Sequence, residues 1–217
     1  MFLLYMYYSQ SKEDKILNDR YFKNKKCGVY VELGALDGVL YSNTKFFEDT
    51  LEWTGILIEP QLKQFQSLSK NRPNNYLFNE LVSCKKEKLK FNLPCESHAA
   101  VAHIDYTAPH NNWFIDKFSN ENIIYMTPMS LTDIIKTTGV SHIDFLSLDV
   151  EGHELEVLQS WDFSIPIDLI LIELLGFNII REEQCKKLLI DNGYRFIETI
   201  GGNNDIYILN TSPLITL

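Results

Sequence analysis

Short apolar runs alternate along this chain with stretches whose apolar residues recur at helical spacing. The run Val29–Leu33 ends at Gly34 and reads as a buried strand entering a tight turn; residues 55–58 form a second such run, stopped by Pro60. Residues 76–78 and 144–148 predict a third and a fourth strand, and residues 88–92, in a less regular stretch, a further one. Residues 167–172 are almost wholly apolar, a pattern expected only where both faces of a strand are covered. Residues 194–199 and 206–209 flank Gly201-Gly202-Asn203-Asn204, a turn composition that predicts an antiparallel hairpin.

Between these runs the spacing predicts helices. Residues 10–26 place Ile16, Leu17, Tyr21 and Phe22 on one face and read as an amphipathic lead-in helix within residues 1–28. Residues 43–53 read as a helix capped by Ser42, and another runs from Pro60 through Leu68. Ser130-Leu131-Thr132-Asp133 resembles a capping box, opening a helix to Thr138. Residues 152–160 and 182–192 are the last two, the second stopped at Gly193. Residues 95–125, rich in His, aromatic and Asn residues, break the alternation and read as an irregular insert on the substrate side. Strand–helix alternation closed by an antiparallel pair predicts a doubly wound α/β sheet. With no repeat and no linker, 217 residues read as a single domain.

Composition narrows the partners. The formal net charge of −9 repels phosphate backbones, so nucleic acid is a disfavoured partner; the densest basic run, residues 85–90, is short. Cys27, Cys84, Cys95 and Cys185 are scattered without zinc spacing and read as thiols of a reducing compartment. The apolar first eight residues lack a basic flank and a cleavage site, and no run reaches the length of a membrane span. The expected setting is cytoplasmic. Oligomeric state is not readable.

In such a sheet, ligands bind beyond the carboxyl ends of the strands, so the chemistry belongs to the strand tips. Glu32-Leu33-Gly34-Ala35-Leu36-Asp37-Gly38 follows the first strand. Gly34 permits a tight turn and Gly38 a close pass of backbone against a ligand. Leu36 stands where a dinucleotide fingerprint needs its middle glycine, which weakens a pyrophosphate site. Glu59 ends the second strand, where a carboxylate can accept two hydrogen bonds from a ribose diol. Together these favour an adenosine-containing ligand. The fourth strand runs into Asp149-Val150-Glu151-Gly152-His153-Glu154. Glu154 at a helix start can simply complement the macrodipole. His153 has the ordinary pKa of a general base, and a surface histidine explains it equally well. Asp149 and Glu173, on adjacent strand tips, could converge on Mg²⁺ or hold an ammonium group.

These blocks, with Tyr8-Ser9-Gln10, Asp14, Tyr41-Ser42-Asn43-Thr44, Trp53-Thr54-Gly55, Ile58-Glu59-Pro60 and Asn71-Arg72-Pro73, stand in the order seen in FkbM-family methyltransferases, which the chain resembles over residues 8–175. Leu174-Leu175 replaces an Asn the family pattern leads one to expect. The resemblance implies a Rossmann-like class I methyltransferase fold, a mostly parallel seven-stranded sheet with an antiparallel C-terminal hairpin. It implies S-adenosylmethionine as donor and O-methylation of a sugar, glycan or other small-metabolite hydroxyl. By position, Glu32, Gly34 and Gly38 line the methionine part of the donor, with Asp37, Ser42 and Asn43 flanking it. Glu59 and Pro60 sit at the ribose, residues 79–82 with Leu81 at the adenine, and Asp149 at the ammonium or the reacting centre. Asp149, Glu151 and His153 are the candidate proton acceptors. His98, His103, His110 and Trp113 in the insert are candidates to cover the acceptor. A catalytically silent methyltransferase-like scaffold and an NAD-dependent nucleotide-sugar enzyme are the competing readings.

Overall fold

The computed structural model describes residues 6–93, 100, 102–104 and 123–216. Its main sheet is built from β1 (Val29–Leu33), β2 (Thr54–Ile58), β3 (Tyr76–Phe78), β7 (Ile143–Leu148), β8 (Ile167–Glu173), β9 (Tyr194–Ile200) and β10 (Asn204–Leu209), in the order β3-β2-β1-β7-β8-β10-β9. The first five in that row are parallel and β10 is antiparallel to both of its neighbours. The order reverses between β1 and β7, which opens a crevice at their carboxyl ends.

Continuous apolar runs make these strands because helices cover both faces. Val31, Leu33, Ile56, Ile58, Leu146, Leu148, Ile170 and Ile172 pack on one face. They meet α4 (Leu131–Thr138), α5 (Glu154–Gln159) and α6 (Ile179–Asp191) through residues such as Ile134, Leu158 and Leu189. The alternate residues Tyr30, Leu57, Phe145, Leu169 and Leu171 face the other way. There they meet α1 (Glu13–Leu17), the π-helical turn Asn18–Phe22, α2 (Lys45–Leu51) and α3 (Leu62–Asn71) through Leu17, Phe22, Phe47 and Leu68.

Several ends differ from expectation for local reasons. The lead-in helix spans only residues 13–22, bounded by left-handed Lys12 and Lys23. The helix expected from residue 43 starts at Lys45, although Ser42 Oγ does accept the Lys45 amide at 3.0 Å. The helix expected from Gly152 starts at Glu154, because Glu151 and Gly152 both take positive φ. The last helix starts three residues early, at Ile179, capped by the side chain of Asn178. Ser130 caps α4 as expected, accepting from the Asp133 amide at 3.0 Å.

The insert is not wholly irregular. Its described parts include β5 (His103–Ile104) and β6 (Ile123–Met126), which flank β4 (Leu89–Asn92) in a small antiparallel sheet ordered β5-β4-β6. His103 is buried within β5, while His98, His110 and Trp113 lie outside the described residues.

Candidate active site

A cleft of about 980 Å³ opens at the carboxyl ends of β1, β2, β7 and β8. Gly34, at φ +78°, turns the chain out of β1 so tightly that a Cβ there would overlap the Asp149 carbonyl oxygen at the tip of β7. The next turn is held by Glu59, whose Oε2 accepts the amide of left-handed Leu36 at 2.9 Å and whose Oε1 accepts the Gln61 amide at 2.7 Å. Burial pushes the Glu59 carboxyl up to about 7. A carboxylate has about four acceptor positions; the two amides and the Gln61 side chain take three, so one remains for a ligand.

Glu32, also buried, anchors the loop over residues 41–44. Its Oε2 accepts Ser42 Oγ at 2.9 Å and Thr44 Oγ1 at 2.6 Å, and its Oε1 accepts the Asn43 amide at 2.8 Å. Burial raises its pKa; Arg72 and the two hydroxyls oppose this. The loop is braced again where Asn43 Nδ2 donates to Ser147 Oγ of β7 at 3.0 Å.

Glu32, Gly34, Asn43, Glu59, Pro60, Leu81, Asp149, Glu151 and His153 all line the cleft, whereas three candidates do not. Gly38 faces α3: a Cβ there would meet Leu68 at 2.6 Å and Arg72 at 2.7 Å, so its glycine is needed for packing rather than for ligand approach. Asp37 folds back to accept the Val39 and Leu40 amides at 2.9 and 2.8 Å. Ser42 is buried behind Glu32.

On the far side, Asp149, Glu151 and Glu173 bring carboxylate oxygens within 4.8 Å of one another, a spacing that could hold a hard divalent cation. Asp149 and Glu173 hydrogen-bond each other, which requires a shared proton. Burial, and then mutual repulsion, raises Glu151 and Glu173 well above the usual carboxylate range. Glu154 fixes the turn beneath them by accepting the Val150 and Gly152 amides at 3.2 and 3.0 Å.

His153 differs from the general base its sequence position suggested. Only 2% exposed, it sets Nε2 3.0 Å from Ser83 Oγ and Nδ1 3.4 Å from Glu156. Burial lowers its pKa to about 4, which makes it a weak base.

Of residues 79–82, expected at the ligand, Glu80, Leu81 and Val82 line the cleft. Sequence reasoning missed Phe91, Ala102 and Ile104, which join Val82 in an apolar face, and Gln10, Leu40 and Tyr41. Six carboxylates line the cleft (Glu32, Glu59, Glu80, Asp149, Glu151, Glu173), and no Lys or Arg does among the described residues.

A mostly parallel sheet with one reversed strand, and acids at the tips of its central strands, defines the class I S-adenosylmethionine-dependent methyltransferases. The family model for the methyltransferase FkbM domain matches residues 32–196. The chain belongs to the FkbM methyltransferase family. Fibrillarin of Aeropyrum pernix, solved with natively bound S-adenosyl-L-methionine, is 10% identical with a TM-score of 0.50, covering 91% of this chain and 73% of that one. The FkbM methyltransferase of Methylobacillus flagellatus KT is 13% identical with a TM-score of 0.48, covering 84% of this chain and 43% of that one. A comparison with curated proteins returned no match. No helix among the described residues is long and apolar enough to cross a membrane.

Proposed function

We propose that this methyltransferase methylates a hydroxyl of a sugar, glycan or other small metabolite that carries no net negative charge. The carrying observation is the division of one cleft between strand tips bearing Glu32 and Glu59 and strand tips bearing Asp149 and Glu173. The residues suit S-adenosylmethionine: Glu59 retains an acceptor position for a ribose hydroxyl, Leu81 and Val82 offer apolar surface beside it, and Glu32 and Asp149 suit an ammonium group. When bound, that donor supplies a methyl group on an already activated sulfonium.

What remains for the chain is positioning and proton removal. With donor bound, the acceptor hydroxyl would pass its proton to the Asp149–Glu151–Glu173 trio as its oxygen takes the methyl group and the donor leaves as a neutral thioether. The shared proton between Asp149 and Glu173 leaves the trio with basic oxygens facing the cleft. The carboxylates around the cleft, without a lysine or arginine among its described lining residues, disfavour a phosphorylated acceptor. The test is a labelled-methyl screen of matched acceptors: free sugars, neutral glycans and hydroxylated metabolites, each beside its phosphate ester. Methylation confined to the neutral members is expected, and a preference for the phosphate esters would overturn the reading.

A further inference from the structure

Arg72 is buried at the C-terminal end of α3, 0% exposed, and reaches no part of the cleft. Its guanidinium instead ties together the elements that build the donor side. Nη1 donates to the Gly38 carbonyl at 2.9 Å and to Ser42 Oγ at 3.3 Å. Nη2 donates to Tyr30 Oη at 2.7 Å and to Thr44 Oγ1 at 3.1 Å, while Nε pairs with Glu48 of α2.

The direction of these bonds matters. A threonine hydroxyl has one proton. Thr44 Oγ1 accepts from Arg72, so its own proton points at Glu32 Oε2, 2.6 Å away. Ser42 Oγ accepts from Arg72 and donates to the same oxygen. Two hydroxyl protons aimed at Oε2 leave it no room for a proton of its own. Among the described residues Glu32 Oε1 accepts the Asn43 amide alone, and Glu32 lines the cleft.

We propose that Arg72 is a positioning residue for the methyl donor, holding Glu32 ionised and oriented through the hydroxyls of Thr44 and Ser42 without touching the ligand. The inference rests on the donor-binding role proposed for Glu32. Arg72 itself lies 4.0 Å from Glu32 Oε2, and the other charges bearing on this corner are Glu48 of α2, which neutralises Arg72, and Asp149 at the tip of β7. Burial pushes Glu32 toward its protonated form, and the guanidinium, the two hydroxyls and the Asn43 amide oppose it.

Donor affinity measured by calorimetry from pH 5.5 to 8.5 tests this on three forms of the protein. In the native protein the acid-side loss of Glu32's share of affinity is expected at lower pH than in either variant. In Arg72→Met, affinity falls as pH drops, by about tenfold per unit of Glu32 pKa shift traversed, and recovers toward pH 8.5. Arg72→Met removes several bonds at once, so Thr44→Val supplies the second measurement, breaking one relay while leaving the guanidinium in place. The same acid-limb loss, smaller in size, is expected there with unchanged melting behaviour. A uniform loss of affinity at every pH in both variants, or no loss in Thr44→Val, overturns the relay and leaves Arg72 a packing residue. Failure of the native protein to bind S-adenosylmethionine overturns the donor site itself, a separate result.

Discussion

Gly34 and Asp149 meet backbone to backbone at the tips of adjacent parallel strands, leaving no space for a side chain between them. The proposed donor side and the carboxylate trio therefore lean on each other, turn against turn, at these two strand tips. Gly34→Ala is expected to cost about 1–3 kcal/mol from the left-handed backbone alone, more with the overlap, and to abolish donor binding. Urea unfolding followed by calorimetry checks both. A variant of native stability would show that the strand tips can separate.

Glu59 holds two backbone amides at the cleft with the carboxylate proposed to meet the donor ribose. Glu59→Gln keeps the shape but turns one acceptor oxygen into a donor facing a backbone amide, so donor affinity is expected to fall by about 1–3 kcal/mol. Titration of the variant with S-adenosylmethionine reads this directly; unchanged affinity removes Glu59 from the site.

His153 makes a pH-dependent contribution to stability. Its folded pKa of about 4 lies below the ordinary histidine value, so the unfolded chain binds the extra proton first as pH falls. Stability is then present near neutrality and lost progressively from about pH 6.5 down toward pH 4. His153→Asn is expected to flatten that acid limb in thermal melts taken across the range. Turnover of the same order as native, with the same pH optimum, is expected because a weak buried base is not the proton acceptor. A turnover loss with normal donor binding would return His153 to that role.

The trio has the opposite sign. Glu151 and Glu173 have pKa values raised by burial and repulsion, so the folded protein holds protons that the unfolded chain releases, and stability falls as pH rises above the ordinary carboxylate range. Glu173→Gln is expected to raise the melting temperature at pH 8 more than at pH 5, and to lower turnover sharply. If a chelator also abolishes native turnover and Mg²⁺ restores it, the trio works as a cation site; proton transfer to the carboxylates predicts turnover indifferent to chelator.

The central strands were legible because each is a short apolar run bounded by glycine or proline, and the two-sided cover they require is a property of the parallel arrangement itself. Glu32, Gly34, Glu59 and Asp149 were legible for a related reason: a strand tip in this fold faces the cleft wherever the strand ends. The small sheet was not, since β5 has two residues and its pairing with β4 carries no periodic signal. Nor was the direction of Gly38, which depends on where Leu68 and Arg72 arrive from α3. Arg72 stood in sight within Asn71-Arg72-Pro73, but an arginine is ordinarily a surface residue, and only the assembled hydroxyls, carbonyl and Glu48 explain its burial.

The N-terminal segment ties together distant parts of the chain. Asp14 accepts the Tyr8 and Ser9 amides and so positions Ser9, which bridges to Tyr41 of the donor loop, while Gln10 lines the cleft. Tyr21 and Arg20 bond Glu198 of β9, and Gly201 in the β9–β10 hairpin packs against the Glu13 carboxylate and Ser11. The segment is therefore pinned at two places, the loop over residues 41–44 and the β9–β10 hairpin, so loosening the hairpin would release one support of that loop while leaving every residue of the cleft in the chain.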